Sequence, residues 1–215
     1  TVMKLPPISL LFMTSPSLNQ TLLACMAILS ATLGGWMGLN QTQIRKILAF
    51  SSISHLGWMT IIISYNPKLT LLNFYLYTLM TMAVFPALNT IKASKLSTLM
   101  TTWTKTPALN TMLLLTLLSL AGLTPLTGFL PKWLIIQELT KQSMIPTAML
   151  ISLLSLLGLF FYLRFAYCAT ITLPPYTTNH IKQWHTSKPT HTSIAILITM
   201  STALLPISPL ITTVI

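Results

Sequence analysis

Three side chains in this sequence could carry protons where the chain around them is otherwise apolar: Lys4, His55 and Lys132. Lys132 lies nine residues before Lys141, and His55 nine residues after Lys46. On a helix, each is therefore about 13 Å from its flanking charge. Lys4 lies eleven residues before Ser15, about 16 Å on the same rise. All three fall near the midplane of a hydrocarbon core about 30 Å thick. An ammonium at that depth costs about 2.5–3.5 kcal/mol on insertion scales, so such groups face a protein interior or a wet cavity. A lysine held there is suited to exchanging protons.

Lys132 ends a segment that a continuous membrane helix would not tolerate, "GLTPLTGFLPKW" from Gly122 to Trp133. Pro125 brings no backbone donor, and Gly122 and Gly128 allow dihedrals closed to other residues. Backbone groups freed at membrane depth must meet protein or water. Break and lysine are thus expected to form one polar site, as in transporters that build ion sites on discontinuous helices. The competing reading, a snorkelling anchor on a helix that ends early, is disfavoured by depth. For Lys4, close to the start of the chain, an anchoring role is the more natural reading from the residues alone. His55 stands in "FSSISHLGW", where Ser51, Ser52 and Trp58 fall near the same helix face. A histidine among hydroxyls suits a proton relay and equally suits hydrogen-bonded helix packing; both readings stay open.

The elements that must position these groups are membrane helices. Of 215 residues, 53% are hydrophobic and 6% charged, against about a quarter charged in a soluble domain. The fold class read from this is an all-α polytopic membrane protein. About 20 apolar residues cross a bilayer. The sequence divides into a half-span at 1–14, spans at 19–39, 47–65 and 70–91, a broken segment at 108–140, and spans at 147–172 and 193–213. Together they form a single membrane domain over 1–215. The connections are Asn40 to Lys46, Asn66 to Lys68, Lys92 to Pro107, Lys141 to Pro146 and the polar stretch Pro174 to Thr192. The chain opens Thr1-Val2-Met3-Lys4, and further residues upstream are expected.

The formal charge of +11 rests on twelve Lys and Arg against one acid, Glu138. The bases are scattered between apolar runs, the habit of membrane flanks and not of a nucleic-acid-binding face. One side holds Arg45, Lys46, Lys92, Lys95, Lys105, Lys182 and Lys188, while the other holds Lys68 and Lys141. Seven against two sets the first side toward the cytoplasm or a mitochondrial matrix. Glu138 is expected to pair locally with Lys141. Arg164 either snorkels to the basic side or lies within the bundle. Gly34, Gly35 and Gly38 are expected to allow close helix packing. Cys25 and Cys168 have no metal or redox spacing and read as buried small hydrophobes. His180, His185 and His191 read as solvated loop residues.

"GLNQTQIRKILAFSSISHLGWM", "YNPKLTLLN" and "GLTPLTGFLPKWLIIQELTK" closely resemble the subunit-two family of mitochondrial NADH dehydrogenase, one of the antiporter-like membrane subunits of respiratory complex I. The resemblance covers the C-terminal part of such a subunit. It implies a proton-pumping bundle in the inner mitochondrial membrane with inverted repeats and broken helices, its basic loops toward the matrix. It implies that Lys132 matches the lysine of the second broken helix and Lys4, in "MKLPP", the central-axis lysine. His55 matches a polar residue of the second half-channel. The glutamate and lysine of the family's first half-channel have no counterpart here. Thr124 departs from the family, which often has a second proline before Pro125. The partners implied are the other membrane and accessory subunits of complex I, with lipids and no nucleic acid. The chain has no dinucleotide fingerprint and no iron–sulfur cysteine cluster. No cofactor is therefore expected in it, and NADH, flavin, iron–sulfur clusters and ubiquinone belong to partner subunits. The alternative on physics alone is a stand-alone cation/proton antiporter subunit, and a structural spacer with inert lysines is a third.

Overall fold

Small residues set the first packing decision. In a computed structural model, which describes residues 4–102, 107–171, 192–204 and 206, helix α2 (Gln20–Leu39) buries Ala27, Ala31, Gly34 and Gly38 on one stripe. That stripe meets α3 (Ile44–Ile62) and α8 (Ile145–Ile171). A Cβ added at Gly34 would lie 2.7 Å from the Ser54 backbone nitrogen and 2.8 Å from the Phe50 carbonyl oxygen, and one at Gly57 would lie 2.8 Å from the Ala27 carbonyl oxygen. The two backbones touch because neither helix places a side chain between them, which is how helices associate where lipid removes the hydrophobic drive. The opposite face of α2 carries Leu22, Met26, Leu29, Leu33 and Trp36, all exposed. This apolar outer face suits lipid or a neighbouring subunit. Cys25 belongs to it: the cysteine expected to be buried is exposed, because α2 turns its glycines and alanines inward. Cys168 is partly buried.

The remaining described helices are α1 (Leu5–Thr14), α4 (Pro67–Ile91), α5 (Leu96–Thr102), α6 (Pro107–Ala121), α7 (Phe129–Lys141) and α9 (Thr192–Ala203). A 3₁₀ turn over Ser15–Ser17 follows α1. Helices α2, α4 and residues 145–168 of α8 are long and apolar enough to cross a membrane. The sequence begins α4 with a cap and a proline: the Asn66 side chain accepts from the Leu69 backbone N–H at 3.3 Å, and Pro67 takes the first helical position. Helix α4 packs on α6 and α9, and α7 packs on α8, α4 and α3. The segment expected at 108–140 is thus two helices, α6 and α7, separated by residues 122–128. The stretch Lys92 to Pro107, expected as a connection, contains the short helix α5.

The two ends of the bundle differ in charge. At one end Gln43 bridges Lys95 in antiparallel fashion, and the Ile44 N–H donates to the Ser94 carbonyl at 3.2 Å. This joins the connection bearing Arg45 and Lys46 to the one bearing Lys92 and Lys95. Arg164 is exposed there and donates to the Leu39 carbonyl at 2.9 Å, where the C-terminus of α2 offers free carbonyls. At the other end the Lys141 ammonium meets Glu138 at 2.8 Å. Lys105, Lys182, Lys188, His180, His185 and His191 lie outside the described residues.

Gly34→Val is expected to force α2 from α3 and to cost about 1–3 kcal/mol, the usual scale of overpacking. A melting temperature in native membranes unchanged from that of the parent would contradict this account of the α2–α3 contact.

Candidate functional site

The site begins where α6 stops. Four carbonyls at the end of a helix lack partners from the next turn. Gly122, at φ +83°, adopts the left-handed conformation that turns the chain back. Its N–H donates to the Ser119 carbonyl at 2.9 Å, and the Leu123 N–H donates to the Leu118 carbonyl at 3.4 Å. This pair of bonds is the Schellman termination, and it satisfies two of the four carbonyls. Leu120 and Ala121 remain. In a continuous helix the Ala121 carbonyl would accept from residue 125, which is proline and has no N–H. Lys132 supplies the donor instead: its Nζ lies 2.7 Å from the Ala121 carbonyl oxygen. The backbone of Leu120 stands within hydrogen-bonding reach of the His55 ring.

The break holds this geometry by folding tightly. The Leu126 N–H bonds to the Leu123 carbonyl at 2.8 Å, and the Phe129 N–H to the Leu126 carbonyl at 3.1 Å, so 122–128 is a series of turns. Pro125 lies within them, after a cis peptide bond from Thr124. A Cβ at Gly128 would collide with the Ser119 carbonyl, so the loop lies flat on the last turn of α6. The Thr127 hydroxyl donates to the Ser201 carbonyl and ties the loop to α9. Lys132, one turn into α7, is thereby aimed back at the C-terminal end of α6. That end carries the negative pole of the helix dipole, which favours a nearby cation.

His55 and Lys132 line one cavity together with Ser54, Trp58, Ser155 and Tyr162. It offers about 20 Å³ to the centres of water-sized spheres, enough for about one water molecule with several polar partners. Tyr162 is buried and borders this space. The Lys132 Nζ also lies 6.0 Å from the Trp58 ring centre, at the outer limit of a cation–π contact. Gly158 and Ala31 complete a wall where larger residues would fill the space.

Lys4 does not line this cavity. It faces inward at the start of α1, and its Nζ donates to the Tyr77 hydroxyl at 2.9 Å and toward the Ser52 carbonyl at 3.4 Å. The same ammonium lies 4.5 Å from the Tyr77 ring centre. The other side of the contact is His55, whose ring centre is 5.0 Å from that of Tyr77. The structure thus joins His55 to Lys132 at one cavity and reaches Lys4 through Tyr77. Sequence reasoning missed Tyr77 and Tyr162. A signal for the first exists: Thr70, Asn73, Tyr77 and Thr81 recur at helical spacing in an apolar span, and all four are buried.

A helical bundle with membrane-length helices and a broken helix folded around an inward-facing lysine has the architecture on which transporters build ion sites. Comparison with known proteins agrees. Residues 2–158 match the family model described as NADH:quinone oxidoreductase/Mrp antiporter, transmembrane, and residues 159–212 match the NADH dehydrogenase subunit 2 C-terminus. The chain belongs to the NADH:quinone oxidoreductase/Mrp antiporter transmembrane family. It is 73% identical over 211 residues to NADH-ubiquinone oxidoreductase chain 2 of Struthio camelus, covering 98% of this chain and 61% of that protein. The protein of the same name from Gallus gallus is 68% identical over 99% of this chain and 62% of its own length. The chain therefore spans about three fifths of the curated relatives it matches. Among solved structures it resembles a chain of respiratory complex I from Thermus thermophilus with bound Aureothin, with TM-score 0.67 and 25% identity over 87% of this chain and 45% of that one. A chain of the Mrp complex from Dietzia sp. shares the fold at TM-score 0.63 and 17% identity, over 76% of this chain and 32% of that one.

Both glycines of the break resist substitution for different reasons. Gly122→Ala would strain a left-handed residue by about 1–2 kcal/mol, while the Lys132 side chain it meets can move. Gly128→Ala would strike backbone, which cannot, and is expected to destabilise more. Thermal unfolding of the two variants in the same membrane orders them; the reverse order would contradict this geometry.

Proposed function

We propose that this chain is part of a core membrane subunit of proton-pumping NADH:ubiquinone oxidoreductase, and that Lys4, His55 and Lys132 with intervening water form a proton path near the midplane. The observation that carries the reading is the shared cavity of His55 and Lys132 at the end of a broken helix. A proton path needs groups that gain and lose protons without leaving the membrane interior, separated by gaps that one water can bridge. Lys132 is such a group. It can donate to the Ala121 carbonyl whether it is an ammonium or a neutral amine, because each form keeps N–H donors. Its place is therefore held through a cycle of protonation.

Several features support this reading over a separate antiporter. The family model over residues 2–158 covers both kinds of protein, whereas the C-terminal quarter of the chain matches the subunit-two model and the likeness to the solved Mrp complex concerns the fold alone. The relatives named NADH-ubiquinone oxidoreductase chain 2 are those of birds, and the proposed location is the inner mitochondrial membrane, multi-pass, with the end bearing Arg45, Lys46, Lys92 and Lys95 toward the matrix. In this proposal residues 1–215 form one membrane domain. The redox steps, with NADH, flavin, iron–sulfur clusters and ubiquinone, belong to partner subunits of the complex. Partner subunits and lipid would cover the apolar outer faces of α2 and α8.

Membership is checked by native electrophoresis of gently solubilised membranes, where the chain should run in a very large NADH-oxidising band. The path is checked with Lys132→Ala in complex reconstituted into sealed vesicles. Fewer protons should cross per electron than in the parent. An unchanged ratio in a fully assembled complex would remove Lys132 from the path.

A further inference from the structure

Tyr77 touches both Lys4 and His55. Its hydroxyl accepts from the Lys4 ammonium at 2.9 Å, and its ring packs against the His55 ring at 5.0 Å between centres. The residue is 4% exposed, so neither contact competes with bulk solvent. A phenol can accept a hydrogen bond and still donate its own, and Ser52 lies within hydrogen-bonding reach of the Tyr77 hydroxyl. Ser52 and His55 are successive residues on the same face of α3, so Tyr77 spans one turn of α3 from α4 while it holds the start of α1. Without it, a flexible four-carbon stem would leave Lys4 free to take other positions.

We propose that Tyr77 is a positioning residue that fixes the Lys4 ammonium against His55, so that the charge on Lys4 acts on the His55–Lys132 cavity from one defined place. The proposal rests on the proton-path reading above and adds to it a link that is neither a lysine nor a histidine. Both ammoniums stand close enough to act on His55 through their charge, and charge–charge effects fall off with distance. The position of Lys4 therefore sets how strongly its proton is felt in the cavity. The ring and the hydroxyl have separable parts in this. The ring packs against His55, and the hydroxyl holds the ammonium.

Tyr77→Phe keeps the ring and its volume and removes only the oxygen. In the assembled complex, reconstituted in sealed vesicles and oxidising NADH with a quinone, we expect proton movement per electron through this path to fall about tenfold, the size of losing one hydrogen bond to a charged group. The pH profile of proton movement should be displaced, while that of NADH oxidation in leaky vesicles stays in place. Lys4→Met removes the other partner of the same bond, so the double variant should pump no less than Lys4→Met alone. Additive losses, a Tyr77→Phe complex that pumps like the parent with an unmoved pH profile, or one that does not assemble would each overturn the proposal, the last by showing that Tyr77 serves packing. Loss of pumping in Lys132→Ala beside an unaffected Tyr77→Phe would leave the path standing without Tyr77. Full pumping in Lys4→Met and Lys132→Ala alike would remove the path itself.

Discussion

A helix that ends inside an apolar bundle must find partners for its last four carbonyls, and the rest of this structure is arranged around that requirement. Two of them are closed by the chain's own turn at Gly122. The other two face side chains that arrive from elsewhere, Lys132 from α7 and His55 from α3. An unmet carbonyl in hydrocarbon costs several kcal/mol, and an unmet ammonium at that depth costs a similar amount or more. Each is a liability alone, and together they offset one another. This is why the proline, the glycines and the lysine occur within a dozen residues.

The same requirement explains the packing farther out. His55 reaches α6 only if α3 is held deep in the bundle, and α3 is held there by backbone contact with the Ala27, Ala31 and Gly34 stripe of α2. Lys132 points back at α6 only if the loop folds flat, which Gly128 permits and the Thr127 tie to Ser201 fixes. The outer faces of α2 and α8 then carry the large apolar residues, Leu153, Leu156 and Phe160 among them. Large side chains outside and small ones inside reverse the habit of water-soluble proteins.

Much of this was legible in the sequence because membrane helices announce themselves by composition, and because Pro125 and Lys132 contradict that composition locally. Counting residues gave Lys4, His55 and Lys132 an expected depth. What counting could not supply was rotation and partner. His55 had serines on its own face, and nothing local told that its neighbours would be a tyrosine from α4 and the end of α6. Cys25 was misjudged for the same reason: α2 is apolar all round, so its pattern does not say which side turns inward, and only its glycines do. Lys4 read from the residues alone more naturally as an anchor, and nothing local told that it would face Ser52 of α3 and Tyr77 of α4. Helix α5 was missed because seven residues are too few for periodicity to emerge.

The scarcity of acids has an electrical consequence. Glu138 is the chain's only carboxylate, and it is engaged with Lys141 at the surface. In the proposed path, no acidic side chain of this chain is left to balance a proton taken up by Lys4, His55 or Lys132. Each such proton is a net charge placed inside a medium of low dielectric constant, answered only by fixed dipoles such as the end of α6. The interior of the bundle therefore behaves as a small capacitor. Charging it at one group raises the voltage at the others, and it discharges only when charge moves in a neighbouring protein or across the membrane.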